Sequence, residues 1–427
     1  MVIKNHSYSY LPGVGMAAHR AFRSSRGLLT AVMASACGVL AGCGGASGSS
    51  IPAGQPGSSS PAAVTADPSA LAALGEKIFH DASLSASGRM SCATCHDPAN
   101  AFAQPTDSGV SSGGPGLDQP GVRNAPSLIY AARTPQFFFA SDGTPTGGFD
   151  RDGRARDLAD QAIRPFVTPF EMANPSPAAV VDKLSRAAYA AQFRAQFGQQ
   201  VFADAGAGFL AARVAIEAYE SESPEFQPFT SKYDYFLAGH ASLSAGELRG
   251  LALFNDPQKG NCNACHPSGR GPDGEPPMFT DFTYDNLGVP RNTAIAANAD
   301  PSYFDLGLCG PARTDLADRS DLCGAFKVPT LRNIALTAPY FHNGQFQTLQ
   351  QVVDFYVRRD TNPEEWYPLG PDGLVQKFDD LPPQYRQNVN TEEVPYDRHP
   401  GDQPALSPAE IAAVVAFLQT LTDGYQP

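Results

Sequence analysis

Two short stretches of the chain place apolar residues at helical spacing and end on a phenylalanine. Leu74-Gly75-Glu76-Lys77-Ile78-Phe79 and Arg249-Gly250-Leu251-Ala252-Leu253-Phe254 each predict a helix with an internal glycine. Asp67-Pro68 opens the first, and Ser244 with Glu247 three residues on forms a capping box for the second. Helical patterns also begin at Leu158-Ala159-Asp160-Gln161-Ala162 and at Leu349-Gln350-Gln351-Val352-Val353. A last helix, Ser407 to Leu421, starts Ser407-Pro408 with Glu410 and gathers Ile411, Val414, Val415, Leu418 and Leu421 on one face. That face suits packing on a domain better than binding a membrane. The segments between these helices are long and carry little regular period. The pattern therefore predicts a mostly α fold with long loops and little strand.

Each glycine-and-phenylalanine helix is followed by the same motif. Cys92-Ala93-Thr94-Cys95-His96 follows the first and Cys262-Asn263-Ala264-Cys265-His266 the second, 170 residues apart. Farther on, Asn124-Ala125-Pro126-Ser127-Leu128 answers Lys327-Val328-Pro329-Thr330-Leu331, and Pro135 and Phe137 answer Pro339 and Phe341. The repetition predicts two related domains from an internal duplication, residues 67–240 and 241–427. A chain of 427 residues has room for both cores. Its 40 glycines and 38 prolines fit a fold rich in turns.

The N-terminus reads as an address. Arg20, Arg23 and Arg26 precede an apolar stretch, Gly27 to Leu40, too short for a permanent membrane span. It ends in Leu40-Ala41-Gly42-Cys43, which resembles a bacterial lipoprotein processing site with Cys43 as the lipidated residue. The plainer alternative is an ordinary secretory signal whose apolar region happens to end in cysteine. Residues 1–43 are thus expected to be a signal peptide and 44–66, built of Gly, Ser, Pro and Ala, a flexible tether. The expected location is the periplasm, with the membrane touched only through a lipid anchor.

Export sharpens the charge. The leader holds four basic residues and no acid, leaving 26 basic against 43 acidic side chains, a net of −17. Such a surface argues against nucleic acid, and suits either a small cationic electron carrier or plain solubility. Export also sorts the eight cysteines. Cys37 and Cys43 belong to the leader and four belong to the motifs, so Cys309 and Cys323 remain and are expected to pair as a disulfide. Closing that small loop would contribute roughly 3 kcal/mol.

The motif spacing has a chemical reason. Two thiols three residues apart on a tight turn reach the two vinyl groups of one porphyrin edge, and the next histidine meets the iron. The rivals are zinc, which needs four ligands in one place, and a redox Cys-x-x-Cys, which favours a βαβ setting. Neither explains a histidine directly after the second cysteine twice. Two covalent haems c are expected, on Cys92, Cys95 and His96 and on Cys262, Cys265 and His266.

The two haems are not equal. After His96 no histidine occurs until His240, and the only methionine between them is Met172. The first haem thus finds almost nothing in its own loops to close its other face, with Met90, His80 or a ligand from the other domain as the remaining options. An open haem that reacts with peroxide needs a carboxylate to move the proton. In Phe166-Val167-Thr168-Pro169-Phe170-Glu171-Met172 the one acid lies among apolar residues. Taken alone, Glu171 would more often be an ordinary surface glutamate.

Together these residues resemble the bacterial dihaem cytochrome c peroxidase and MauG superfamily, over about residues 70–423. The specific features are Asp152-Gly153-Arg154-Ala155, Gln161, Glu171-Met172, Phe326-Lys327-Val328-Pro329-Thr330-Leu331-Arg332-Asn333 and Pro339-Tyr340-Phe341-His342-Asn343-Gly344. The resemblance implies two cytochrome c-like domains, peroxidatic first and electron-transferring second. It places Gln161 and Glu171 on the peroxide side of the first haem. It also implies a calcium ion held between the domains by Asn124 and by Thr337 and Pro339, the last two through backbone carbonyls.

Three departures refine this. Many such peroxidases carry a histidine before the Asn-x-Pro block that closes the first haem until the second is reduced. Ser112-Gly113-Gly114-Pro115-Gly116-Leu117-Asp118 has none, so no reductive activation is expected. Tyr356 stands where those peroxidases place a methionine ligand, as in MauG, and is expected to be the sixth ligand of the second haem, with His342 as competitor. Arg151 replaces the tryptophan that often bridges the haems, and the only tryptophan, Trp366, reads as packing rather than relay.

The expected function is a periplasmic peroxidase that reduces hydrogen peroxide with electrons from a small cytochrome or cupredoxin. The alternative is a MauG-like oxidase that spends the oxidising equivalents on Trp or Tyr residues of a protein substrate. Within the superfamily, the stretch from Cys309 to Asp360 with Trp366-Tyr367-Pro368 looks most like the MauG-like enzyme of methanobactin gene clusters. A plain electron carrier is disfavoured by the open haem.

Overall fold

The computed structural model describes residues 68–105 and 109–427. The leader, the lipidation site Cys43, the tether 44–66 and Asp67 lie outside the described residues. The first half contributes α1 (Ala70–Phe79), α2 (Cys92–Cys95), α3 (Leu158–Val167), α4 (Pro177–Arg186), α5 (Ala190–Phe197) and α6 (Ala205–Glu222). α7 (Lys232–Leu237) follows and sends Tyr233 into the second core, and the second half contributes α8 (Ala245–Asn255), α9 (Leu349–Arg358) and α10 (Pro408–Gln419). Among the described residues, strand is confined to three two-stranded antiparallel pairs: β1 (Ser112–Gly113) with β2 (Gln119–Pro120), β3 (Phe138–Phe139) with β4 (Pro145–Thr146), and β5 (Tyr284–Asp285) with β6 (Phe326–Lys327).

Helix ends follow their capping chemistry. Ser244 and Glu247 close a reciprocal box on α8, and Ser407 and Glu410 do the same on α10. The start of α1 lies later than Asp67-Pro68 suggests: the Ser69 hydroxyl accepts from the Ala72 amide at 3.1 Å and caps it. The 18-residue α6 has no counterpart in the sequence reading. Its acid-free first turn, its many alanines and the exposed Leu210 and Val214 hide a helix that packs on α1, α3 and α4.

Backbone approach, not side-chain interlock, sets the two main helix crossings. A β-carbon on Gly75 of α1 would lie 1.9 Å from the Ala215 carbonyl oxygen of α6. One on Gly250 of α8 would lie 2.0 Å from the Ala413 carbonyl oxygen of α10. Only glycine permits either contact. Phe79 then meets Tyr219 edge-on at 5.4 Å, and Phe254 meets Phe417 at 5.2 Å. The two halves repeat the same construction.

The repeat continues beyond the helices. Phe102 and Phe279 both adopt positive φ, 53° and 52°, as do Tyr130 and Asn333, at 66° and 59°. The Ser127 hydroxyl donates to the Ala101 carbonyl and the Thr330 hydroxyl to the Met278 carbonyl, each at 2.6 Å. A single carboxylate oxygen, Asp423 Oδ2, accepts from the Tyr130 hydroxyl and from Asn333 Nδ2, both at 2.7 Å.

Two apolar cores are drawn from separate stretches, one from Leu74 to Ile216 and one from Tyr233 to Leu421, and all described residues belong to one compact unit. Cys309 and Cys323 are disulfide-bonded and pin the long loop after β5. Among the described residues, no helix is long and apolar enough to cross a membrane.

Candidate haem and peroxide site

Both motifs fold as a single tight turn, α2 for Cys92–Cys95 and a 3₁₀ turn for Cys262–Ala264. The four motif cysteines form no disulfide. In each case the turn closes with the histidine amide donating to the first cysteine's carbonyl, at 2.9 Å for His96 and 2.8 Å for His266. That bond fixes the imidazole against the two thiols.

The imidazoles are prepared as iron ligands. His96 Nδ1 lies 3.0 Å from the Pro126 carbonyl and 3.1 Å from that of Phe102, and His266 Nδ1 lies 2.7 Å from that of Phe279. A carbonyl accepts only, so Nδ1 carries the proton and Nε2 keeps a free lone pair. Burial lowers both pKa values, that of His266 to about 4, so both rings are neutral at ordinary pH, as ligation requires.

One cavity runs past both histidines. Its wall includes Leu128, Gln161, Arg151, Lys327, Val353 and Tyr356. Arg151 and Lys327 are half-buried cations whose pKa values desolvation lowers, to about 10 and about 8. Neither has a carboxylate within ion-pair distance among the described residues. An unpaired cation in a dry wall is costly, and haem propionates are anions of the right kind to meet it. The residues present therefore fit two haems c.

The turn that carries Glu171 is built around Pro165. This proline lies within α3, and the chain beyond it folds back: the Met172 amide donates to the Pro165 carbonyl and the Asn174 amide to that of Phe166. Asn174 Nδ2 ties the same turn to Leu84 and Phe166 at 2.8 and 2.9 Å. Glu171 sits on this turn, and Gln161, one α3 residue facing the cavity, lines the wall. Burial pushes the Glu171 carboxyl up to about 7, Asp150 adds to the rise, and Thr168 and Arg154 oppose it. Burial likewise raises the Cys92 and Cys95 thiols, and the charge of Glu171 adds to both shifts.

The loop that lacks histidine lies against this acid. It forms the β1–β2 hairpin, with Ser112 opposite Pro120 and Gly113 opposite Gln119, and the Gly114 amide donates to the Glu171 carbonyl at 2.8 Å. Of the other candidates for this face, His80 is exposed at the end of α1, and Met90 and Met172 are buried in the first core.

Asp150 is a site residue that the sequence reading missed. It lines the cavity and holds a positive φ of 62°. Its Oδ2 lies 3.3 Å from Arg154 Nε yet makes no hydrogen bond, and burial raises its pKa. A half-buried acid with one buried, unbonded oxygen and a left-handed backbone is typical of functional positions. Its only trace in the sequence is an acid two residues before Asp152-Gly153-Arg154.

At the second haem, Tyr356 projects from α9 into the cavity beside Cys262, Cys265 and His266. Its ring lies 5.9 Å from those of Phe341 and Tyr396, and burial raises its phenol pKa. The Arg359 guanidinium stands 4.5 Å over the Tyr396 ring. His342 is differently engaged: it stacks on Phe326 at 3.7 Å and points Nε2 towards Asp380 at 3.6 Å. Trp366 packs edge-on against Phe346 and Phe355, with its indole nitrogen unbonded. Where the halves meet, Asn124 is held by Arg151: Nη2 donates to Asn124 Oδ1 at 2.5 Å and Nε to the Asn124 carbonyl at 3.0 Å.

Comparison with known proteins agrees with this geometry. Residues 69–242 match the di-haem cytochrome c peroxidase family. The methylamine utilization protein MauG of Paracoccus denitrificans is 38% identical over 86% of this chain and 94% of its own length. The crystal structure of the diheme peroxidase BthA from Burkholderia thailandensis is 40% identical, covers 83% of this chain and 86% of its own, and superposes with a TM-score of 0.75. A MauG-like protein associated with microbial copper homeostasis is 26% identical over 83% of this chain and 90% of its own, with a TM-score of 0.59. The chain, with its paired Cys-x-x-Cys-His turns, belongs to the dihaem cytochrome c peroxidase and MauG family and is an oxidoreductase carrying two haems c.

Proposed function

We propose that the chain is a periplasmic peroxidase, tethered through Cys43, that reduces hydrogen peroxide to water at the first haem with electrons entering through the second. The observation that carries this is Glu171, an acid with a pKa of about 7 on the turn against a hairpin that lacks histidine. The haem on His96 supplies, when bound, the two-electron chemistry that cleaves the O–O bond. Glu171 as carboxylate takes the proton from the near oxygen of peroxide and returns it to the departing one. Gln161 orients the substrate from the cavity wall, and Asp150 with Arg154 holds the local charge. Tyr356 is the residue that would hold the second haem's iron together with His266: both Tyr356 and His342 line the cavity, but His342 is stacked on Phe326 with Nε2 turned to Asp380. Electrons come from a small cytochrome or cupredoxin, steered by the acidic surface. The two halves derive from an internal duplication, a reading supported by the paired glycine crossings.

The test is turnover. Peroxide added to the diferric protein should react without prior reduction, and a reduced small cytochrome should then be oxidised at two equivalents per peroxide. Peroxide reacting only after reduction would overturn this reading.

A second reading is favoured by the likeness to MauG over nearly its whole length and by Tyr356: the oxidising equivalents modify a partner protein. Peroxide-driven oxidation of a Trp or Tyr in such a partner, with negligible cytochrome turnover, would select it.

A further inference from the structure

The joint between the two halves has an unusual cation. Asn124 is buried there, and its amide donates to the His342 carbonyl at 2.8 Å. Its side chain spans the gap, with Nδ2 donating to the Pro339 carbonyl at 3.0 Å and Oδ1 accepting from Arg151 at 2.5 Å. The amide orientation is fixed by chemistry: a guanidinium only donates and a carbonyl only accepts, so the oxygen must face Arg151 and the nitrogen Pro339. Arg151 also reaches the Asn124 main-chain oxygen, and its own carbonyl accepts from the Lys327 amide at 2.9 Å. The guanidinium therefore grips Asn124 twice, while the Arg151 main chain holds Lys327.

This is a poor place for a calcium ion. Calcium takes six to eight oxygens at about 2.3–2.6 Å. Here the one side-chain oxygen of Asn124 is already bonded to a positive group, and Asn124 turns a nitrogen, not an oxygen, towards Pro339. An ion bound to both would face the Arg151 charge at close range.

We infer that the Arg151 guanidinium is itself the cation of this joint, standing where relatives are expected to hold calcium on the residues matching Asn124, Thr337 and Pro339, so that this protein binds no calcium there. The directional N–H donors of Arg151 hold Asn124, and Asn124 in turn reaches the Pro339 and His342 carbonyls of the second half. The joint then needs no metal supply and does not respond to chelators.

The experiment uses the purified holoprotein with both haems. After exhaustive dialysis against EDTA and then metal-free buffer, elemental analysis should find far less than one calcium per chain. The haem spectra and thermal midpoint should match those of protein kept in millimolar calcium. One calcium retained per chain, or a loss on chelation that calcium restores, would overturn the inference. Arg151→Ala should lower the thermal midpoint by several degrees, and Arg151→Lys should recover part of the loss. If Arg151→Ala fails to accumulate, the metal analysis of the unaltered protein still decides. An unchanged midpoint in Arg151→Ala would remove Arg151 from the role.

Discussion

Gly113 presses directly on Glu171: a β-carbon at Gly113 would lie 2.6 Å from the Glu171 carbonyl oxygen and 2.4 Å from that of Phe170. The obstacle is backbone on both sides, so it cannot swing away as a flexible side chain would. Gly113→Ala must shift the turn that carries the acid. The expected result is a peroxide reaction slowed by at least tenfold with both haems still attached. Stopped-flow mixing and a haem assay would check it; an unchanged rate would mean that the hairpin yields instead of the turn.

The pKa of Glu171 fixes a direction for pH dependence. Its carboxylate form takes the first proton, and burial places its pKa at about 7. The rate with peroxide should therefore rise as pH climbs through 7 and level off above it. Glu171→Gln should abolish that rise and slow the reaction by roughly two to four orders of magnitude. A pH profile identical in the variant would assign the proton transfer to another group, with Asp150 next in line.

Tyr356→Phe isolates the second haem. Loss of a phenolate ligand would alter the optical and electron paramagnetic resonance signals of that haem and raise its reduction potential, leaving the first haem's signals in place. If no signal changes, the ligand is elsewhere and His342 would be the residue to replace next.

Gly250→Ala asks which of two opposed effects is larger. Alanine favours helix by about 1 kcal/mol over glycine. Overpacking a close contact costs about 1–3 kcal/mol and sometimes more. With the new carbon 2.0 Å from the Ala413 carbonyl oxygen, the clash should prevail. Denaturant unfolding of the holoprotein should show a net loss of about 1–3 kcal/mol; a gain in stability would mean that α8 and α10 can slide apart freely.

What the sequence made legible is what local rules govern. Capping boxes at Ser244 and Ser407, the start of α9, and the Cys-x-x-Cys-His turns all rest on residues within four positions of one another. The glycines at 75 and 250 could be noticed but not explained, because Ala215 and Ala413 are more than a hundred residues away. The same limit hid α6, whose apolar residues run round the helix instead of along one stripe. At the site, Glu171 was found through its apolar neighbours and the family likeness. Asp150 was missed because its significance is a backbone twist and an unbonded oxygen, neither of which has a sequence period. Arg151 was noted for the tryptophan it replaces, yet its grip on Asn124 depends on two segments meeting in space.

One oxygen atom of Asp423 holds the turns that follow both histidine blocks, through Tyr130 in the first half and Asn333 in the second. Neither turn can drift without straining a bond that the other shares. Electron tunnelling weakens steeply with every added ångström, so thermal breathing between the halves would make the current between the irons fluctuate. A shared anchor of this kind would act as a spacer bar, keeping such a gap between the two halves constant.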